Sequence, residues 1–329
     1  MLFLMIFIVI IFIIGGLIYF PIFLKRNPYY QHIEKIIDDK NLKSHKYSFL
    51  NEKGVKIVGK FYYYEQDKYK GLIINSHGMG NCKETQLPKL IEFIKDGYIV
   101  YSYDNMGVGE SEGKYINGLT HSVLDLKDCL NNLSTIKELE NYNICLYGHS
   151  WGGYAVSSIF NFDVKNKDKI KVIINKAGFN HFSDVFLALA KTPILKVIFY
   201  ILLIPIYFYE MIFNLKTFNK TIIESLNKTN ANVLMMYSYN DDKVVSEYSI
   251  EKYKKIKFND NIKFLYFDKQ NHEIDFNMEK IDTFNEIYRN YYDLKKYDYE
   301  PQYSQILLDG VDCNIVKEEL NFINENINK

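Results

Sequence analysis

The sequence has few cysteines and no cluster of side chains suited to binding a metal. Only 4 cysteines occur among 329 residues, and none of them belongs to a C-x-x-C pair or to another short spacing typical of zinc sites. A metal site therefore has no support in the sequence. We expect the protein to work without a metal ion and without any other cofactor.

The sequence also lacks a surplus of charge of either sign. Lysine and arginine together number 40, as do aspartate and glutamate, so the formal net charge at pH 7 is +0. Nucleic-acid-binding domains usually carry a basic surplus, and solvating tails carry a block of like charge. We therefore expect no nucleic-acid partner. The length suits one large domain with additional segments.

No charged side chain occurs in the first 24 residues. They read "MLFLMIFIVIIFIIGGLIYFPIFL" and are followed at once by Lys25 and Arg26. About 20 apolar residues span the hydrocarbon core of a bilayer. A cleaved signal peptide would have a basic start, a shorter apolar run and small residues at its exit, which this run lacks. Residues 1–24 are therefore predicted to be an uncleaved transmembrane anchor. The basic residues that follow it place the large domain on the cytoplasmic side.

Apolar strands alternate with amphipathic helices from about residue 46 onward. A short polar helix over 25–45 is predicted to link them to the anchor. A β-hairpin comes first, and six apolar runs typical of buried strands follow: "GLIINS", "YIVYSYD", "NICLYG", "IKVIINKAG", "ANVLMMYS" and "IKFLYFD". This alternation predicts an α/β domain formed by residues 46–180 and 228–329. Its sheet is expected to be mostly parallel, with helices on both faces.

An apolar insertion, residues 181–227, interrupts this alternation. Its longest uncharged run, Val197 to Tyr209, is short for a membrane span and contains Pro205. A pair of cap helices packed on the core is the favoured interpretation. A cap that enters the membrane interface and, least favoured, a second span stay open. Each interpretation predicts an apolar lid over whatever functional site the domain contains.

A Gly-x-Ser-x-Gly motif follows the third of these apolar runs. In "GHSWG", Ser150 lies between Gly148 and Gly152. This is the pattern of a nucleophile elbow, a sharp turn between strand and helix that leaves no room for side chains at the two glycines. The backbone N–H of Trp151, at the start of the predicted helix, is placed to stabilise an oxyanion. Glycine and serine are common, so the pentapeptide alone is weak support for a nucleophile.

Three other polar motifs lie at predicted strand ends. "HGMG" (77–80) follows the first buried strand, "YNDDKVVS" (239–246) follows the strand after the insertion, and "FDKQNHEID" (267–275) follows the last strand. Open α/β sheets gather their reactive groups at the carboxyl ends of strands, so we expect these motifs to lie near Ser150. A serine, an acid and a histidine thus occur in that chain order.

Together these motifs resemble the α/β-hydrolase superfamily over about residues 46–275, most closely the branch of serine aminopeptidase-like and monoacylglycerol lipase-like proteins. The turn "YDNMGVGESEG" (103–113) is similar to the family's Asp-x-x-Gly-x-Gly-x-Ser turn, with Asn105 and Met106 where an arginine is usual. The resemblance implies an α/β-hydrolase fold, here with a helical cap insertion and an N-terminal transmembrane helix.

The resemblance also implies roles for the histidine and the acid. His272 lies where the family's catalytic histidine lies and would be the general base. The family pattern Asp-x-x-Val-Pro fits from Asp242, with Ser246 in place of the proline, so Asp242 is the favoured acid. Asp241 would fit with a shift of one residue and is the less favoured alternative.

The loop after the first buried strand is expected to support the oxyanion. In the family it supplies the second oxyanion donor, which makes the Met79 N–H our candidate. His77 and Gly78 would support this loop. His149 adjoins the nucleophile and is expected to be structural, with its ring turned away from the serine hydroxyl.

These expectations combine into a membrane-anchored serine hydrolase that acts through an acyl-enzyme. The apolar insertion favours a lipid-derived or acyl-chain ester, such as a monoacylglycerol or a lysophospholipid. A peptidase acting on small apolar peptides is the alternative. A non-catalytic relative with the same fold is least favoured, because serine, acid and histidine are all present. The expected partners are the small acyl substrate and the membrane, contacted through the N-terminal helix and, in one interpretation, through the cap.

Overall fold

A computed structural model of the chain describes residues 2–27, 33–293 and 297–329. Its centre is a sheet of eight strands in the order β1-β2-β4-β3-β5-β6-β7-β8. The strands are β1 (Lys43–Leu50), β2 (Lys56–Tyr63), β3 (Leu72–Ser76), β4 (Ile99–Tyr103), β5 (Ile144–His149), β6 (Ile170–Lys176), β7 (Asn232–Ser238) and β8 (Ile262–Phe267).

The sheet is antiparallel at one edge and parallel elsewhere. β1 pairs with β2, and β2 with β4, in antiparallel register; every other neighbouring pair is parallel. Every residue of β3, β4 and β5 is buried, as expected for central strands covered on both faces. The predicted hairpin and the predicted α/β fold class are confirmed.

Helices pack on both faces of this sheet. One buried cluster involves α4 and α5 with the cap, and the other involves α3 and the C-terminal helices. The helices are α1 (Leu2–Phe23), α2 (Ile33–Ile36), α3 (Leu87–Lys95), α4 (Ser122–Leu133), α5 (Trp151–Ser158), α6 (Phe182–Ala188), α7 (Pro193–Phe213), α8 (Ile222–Leu226), α9 (Ile250–Tyr253), α10 (Ile281–Tyr288), α11 (Glu300–Asp309) and α12 (Cys313–Asn326). Because β3 to β8 all run parallel, the loops that follow these strands meet at one edge of the sheet.

The segment between anchor and core differs from the helix predicted over 25–45. Its described helix is the single turn α2, and residues 43–45 already belong to β1. The Arg26 guanidinium donates to backbone carbonyls of the loop after β4, and the Asn27 N–H donates to the Gly107 carbonyl over 2.8 Å. A short polar helix is marginal by itself, so these backbone bonds to the domain prevail. Residues 28–32 lie outside the described part of the chain.

The apolar insertion forms α6, α7 and α8 between β6 and β7. In place of the expected pair of packed helices, one long helix, α7, lies between two short ones, and its 21 residues continue through Pro205. Leu202, Leu203 and Ile206 are buried on one side, while most side chains on the opposite side are exposed and apolar. By length and composition alone, α1 and α7 are both able to cross a membrane.

Candidate active site

Ser150 occupies a sharp turn between β5 and α5. Its φ of 54° and ψ of −111° put a residue with a side chain in a sparsely populated backbone region. A Cβ on Gly152 would lie 1.9 Å from the Ser76 carbonyl oxygen, and one on Gly148 would lie 2.4 Å from the Gly152 carbonyl oxygen. Only glycine fits at these two positions, so the backbone holds the strained turn that the motif predicts.

His272 and Asp241 form the closest acid–histidine pair at this edge of the sheet. They lie in the loops after β8 and β7, and His272 Nδ1 is 2.8 Å from Asp241 Oδ2. Asp241 Oδ1 also accepts the backbone N–H groups of Lys243 and Val244, each over 2.8 Å. Burial alone would lower the pKa of His272, but the Asp241 carboxylate raises it above its ordinary value. Burial acts to raise the pKa of Asp241, and His272 together with the two N–H groups outweighs it and lowers that pKa.

The prediction that Asp242 orients the histidine is therefore wrong. Its side chain is 63% exposed and lies 3.0 Å from the Lys243 ammonium. The turn closes around the Asp241 carboxylate, which accepts the N–H groups two and three residues on and thereby faces inward. The sequence held no signal that separates the two residues, because a valine follows each aspartate three residues on.

His149 connects the histidine loop to the elbow. Its Nε2 is 2.9 Å from the His272 carbonyl oxygen, and the two rings lie 4.9 Å apart between centroids. Burial lowers the pKa of His149 to about 4, so the neutral ring donates from Nε2 to that carbonyl. Its predicted structural role agrees with this contact. Among the described residues, the Ser150 hydroxyl has no hydrogen-bond partner. The structure thus joins His272 to Asp241, and no hydrogen bond between the described residues joins Ser150 to His272.

The loop after β3 packs against the elbow and is supported by His77. Its Nε2 accepts the Asn105 N–H over 3.1 Å, which leaves Nδ1 to donate to the Gly78 carbonyl oxygen over 2.7 Å. Burial lowers the pKa of His77 and keeps the ring neutral. A Cβ on Gly78 would lie 3.2 Å from His149 Nδ1. Asn105, one of the two residues found where an arginine was expected, thus forms a hydrogen bond with His77.

The backbone N–H groups of Trp151 and Met79 are the two expected oxyanion donors. Trp151 is the first residue of α5, where an N–H has no acceptor within the helix. Within the described ranges, neither this N–H nor that of Met79 donates to a protein acceptor. Both groups are therefore free to donate to a substrate oxygen.

This architecture has counterparts among known proteins. A family model described as "Serine aminopeptidase, S33" matches residues 67–198, which include the elbow and end before the acid and the histidine. The α/β-hydrolase GrgF of Penicillium sp. sh18 is similar in structure with a TM-score of 0.52, at 14% identity, over 80% of this chain and 99% of that one. The chain has the α/β-hydrolase fold.

Two further solved structures are similar to the chain at the same level. The esterase Pf2001 of Pyrococcus furiosus gives a TM-score of 0.54 at 19% identity, over 82% of this chain and 92% of that chain. The acylaminoacyl peptidase of Pyrococcus horikoshii gives 0.52 at 14% identity, over 76% and 40%. No curated protein sequence is significantly similar to the chain. At such identities the likeness is one of fold.

A buried cluster of charges lies behind the histidine loop, and sequence reasoning missed it. Asp275 pairs with Lys176 of β6 and, over 2.5 Å, with Lys89 of α3. Glu319 of α12 lies 3.6 Å from Lys176, and Glu273 lies 3.7 Å from Lys89. Two residues of the cluster follow His272 within three positions, so the lysines hold its loop in place. The available signal was Lys176 itself, a charged residue at the end of an apolar strand.

Proposed function

We propose that the protein is a serine hydrolase that cleaves an acyl ester through an acyl-enzyme. The observation that carries this proposal is the strained elbow of Ser150 beside a buried Asp241–His272 pair. The family match and the similarity to esterases support hydrolase chemistry in general.

In the proposed mechanism, the Ser150 oxygen attacks the substrate carbonyl while His272 Nε2 takes the hydroxyl proton. Asp241 holds Nδ1 protonated, which leaves Nε2 as the base. The N–H groups of Trp151 and Met79 stabilise the oxyanion of the tetrahedral intermediate. The histidine then gives its proton to the leaving alcohol, and the acyl group stays on the serine. Water attacks this ester with His272 again acting as base, which releases the acid and restores the hydroxyl.

A lipid-derived or acyl-chain ester is the proposed substrate class. The long insertion helix α7 presents exposed apolar side chains such as Ile194, Val197 and Ile204, and it packs against the apolar α1. Such a surface favours substrates that partition into membranes. A peptidase is the second candidate, because the matching family model describes a serine aminopeptidase and one similar structure is an acylaminoacyl peptidase.

The proposed location is a membrane, with α1 as its anchor and the catalytic domain on the cytoplasmic side. Cys313 is the exposed cysteine among the described residues, whereas Cys82, Cys129 and Cys145 are buried. A membrane-impermeant maleimide added to intact cells should therefore leave the protein unlabelled until the cells are opened. Labelling of Cys313 from outside would reverse the orientation.

A fluorophosphonate probe tests the serine hydrolase. We expect the wild type and a Ser134→Ala control to be labelled, because Ser134 lies at the end of α4 outside the site, and Ser150→Ala to be unlabelled. Labelling that survives in folded Ser150→Ala would contradict the proposal, as would an unlabelled wild type.

A series of p-nitrophenyl esters then tests the substrate class. Faster turnover of octanoyl than of acetyl esters is expected, and a preference for acetyl or for aminoacyl anilides would favour the alternatives.

A further inference from the structure

The second half of α1 is built into the catalytic domain. Most side chains from residue 3 to 14 are exposed, whereas Gly15, Gly16, Tyr19 and Phe23 are buried. A Cβ on Gly15 would lie 2.5 Å from Pro205 Cγ of α7, so the two helices pack in close contact there. Simple tethering to a membrane needs no such burial. The burial of these residues therefore indicates that α1 also has a structural role in the domain.

A buried carboxylate of α7 is the centre of this contact. Glu210 is 0% exposed, and its Oε2 accepts the Tyr19 hydroxyl of α1 over 2.6 Å. Its Oε1 accepts the Thr120 backbone N–H over 2.8 Å, the Thr120 hydroxyl over 2.6 Å and the Asn214 amide over 3.0 Å. A buried charge is stable only when its hydrogen bonds are complete. Here four donors from α1, from the chain around α7 and from the loop before α4 supply them.

The loop before α4 is fitted closely to this carboxylate. Gly118 has a φ of +97°, which favours glycine, and a Cβ there would lie 2.7 Å from Glu210 Oε2 and 2.7 Å from the Tyr19 hydroxyl. The same added atom would lie 2.3 Å from Asn214 Nδ2. The loop backbone is thus held by side chains of both apolar helices.

The same loop also holds the elbow. The indole Nε1 of Trp151 donates to the Leu119 carbonyl oxygen over 2.6 Å, and the Trp151 side chain is 1% exposed. Leu119 adjoins Thr120, which Glu210 binds. The Trp151 N–H is one of the two proposed oxyanion donors. A continuous set of hydrogen bonds therefore runs from α1 through α7 and the loop to the oxyanion side of the elbow.

We propose that Glu210 is a positioning residue through which α1 and α7 fix the Trp151 side of the oxyanion site. The expected effect of Glu210 on kcat rests on the proposed hydrolase function. This positioning role makes the N-terminal helix a working part of the domain in addition to its proposed role as an anchor.

Intrinsic fluorescence reports on this proposal directly, because Trp151 is the single tryptophan of the chain. The full-length protein in detergent is compared with Tyr19→Phe, Glu210→Gln and the double variant. The matched controls are Tyr63→Phe and Glu65→Gln, which lie at and after the end of β2. The measurements are Trp151 emission, its quenching by acrylamide, and kcat and KM for p-nitrophenyl acetate, a soluble ester too short to need the apolar cap.

We expect Glu210→Gln to shift Trp151 emission to the red, to increase quenching and to lower kcat about tenfold, with KM changed less than kcat. Tyr19→Phe should act in the same direction with a smaller effect, since three donors to the carboxylate remain. The double variant should lose less than the sum of the two single variants, because both substitutions alter the same hydrogen bond. The controls should match the wild type.

Unchanged Trp151 emission and kcat in folded Tyr19→Phe and Glu210→Gln would overturn the proposal, and so would additive effects in the double variant. If Glu210→Gln does not fold, the milder Tyr19→Phe decides, because it keeps the carboxylate bound by the loop. The fluorescence needs no catalysis. If the hydrolase proposal failed, Trp151 emission would still report whether Glu210 positions the elbow.

Discussion

The Asp241 carboxylate is 4% exposed and is bound by the His272 ring and by two backbone N–H groups of its own turn. A carboxylate held in this way keeps its charge and its orientation, and both are needed to select one tautomer of the imidazole. The neighbouring Asp242 is in solvent beside Lys243 and has neither property. The two aspartates therefore form a matched pair for testing the acid.

Asp241→Asn is expected to lower kcat by roughly 10⁴-fold, because the amide favours the wrong tautomer of His272. Asp242→Asn should stay within about twofold of the wild type, since exposed charges contribute little. Steady-state hydrolysis of a p-nitrophenyl ester measures both. The acid assignment would be reversed if Asp242→Asn were the inactive variant.

The pH profile gives a second expected result at the same residues. A protonated His272 does not accept the serine proton, so kcat/KM should fall as the pH drops through the pKa of His272. Asp241 raises that pKa, so the fall should begin above the ordinary histidine value. In Asp241→Asn the residual activity should persist to lower pH. An inflection that does not move between the two proteins would show that another group is the base.

Most of the site could be predicted at the level of single residues. The elbow around Ser150, and the place of His272 after the last strand, depend on local motifs and on strand order. The choice between the two aspartates does not, because a valine follows each of them three residues on. The two aspartates differ in the closed turn, where the Asp241 carboxylate accepts the N–H of Val244. Residue spacing in the sequence does not predict such a turn.

Among the elements, α7 differs most from its prediction. The insertion that contains Pro205 was expected to form a packed pair of cap helices, yet one long helix continues through the proline. The Gly15 backbone of α1 packs against the proline ring, so tertiary contact outweighs the local cost of a proline. The linker helix failed for the same kind of reason, since pairing of residues 43–45 with β2 outweighs a weak helical preference. Local patterns do not contain these long-range contacts.

The buried charge cluster joins β6, α3 and α12 to the histidine loop, and two isosteric substitutions test it. Lys176 and Lys89 hold the pKa of Asp275 well below its ordinary value against the effect of burial, whereas burial raises the pKa of Glu319 to about 7. Asp275→Asn should therefore cost about 3–5 kcal/mol of unfolding free energy, because it leaves two buried ammonium groups without their shared carboxylate. Glu319→Gln should cost about 1 kcal/mol near pH 6, where the carboxyl is largely protonated.

Urea unfolding in detergent, followed by the fluorescence of Trp151, measures both variants. The folded state holds the Glu319 proton more tightly than the unfolded chain does. The stability that this proton contributes should therefore decline as the pH rises from about 5 to about 7, and the difference between wild type and Glu319→Gln should move in favour of the variant. If the two variants lost equal unfolding free energy at pH 6, the negative charge would be shared between Asp275 and Glu319, contrary to this prediction.

At the scale of the whole molecule, α7 lies along the domain instead of projecting from it. Its two charged residues both contact other parts of the domain: Lys196 pairs at the surface with Glu247 over 2.7 Å near one end, and the buried Glu210 binds Thr120 near the other. Its outward side is apolar throughout, with Val197, Ile204 and Ile212 exposed in turn along its length. Under the proposed membrane location, we expect a cap that rests in the membrane interface instead of a water-facing lid or a second span.

Environment-sensitive labels on α7 decide between these three arrangements. Single cysteines at Val197, Ile204 and Ile212 are introduced with Cys313→Ser, labelled and placed in lipid nanodiscs, and the native Cys313 carries the label in the control. An interfacial cap predicts blue-shifted emission and similar quenching by lipid-borne quenchers at all three positions, with an aqueous signal at Cys313. A spanning helix would separate Val197 from Ile212 by about 22 Å of depth, because each residue rises about 1.5 Å. Three aqueous signals would instead make α7 a water-facing lid.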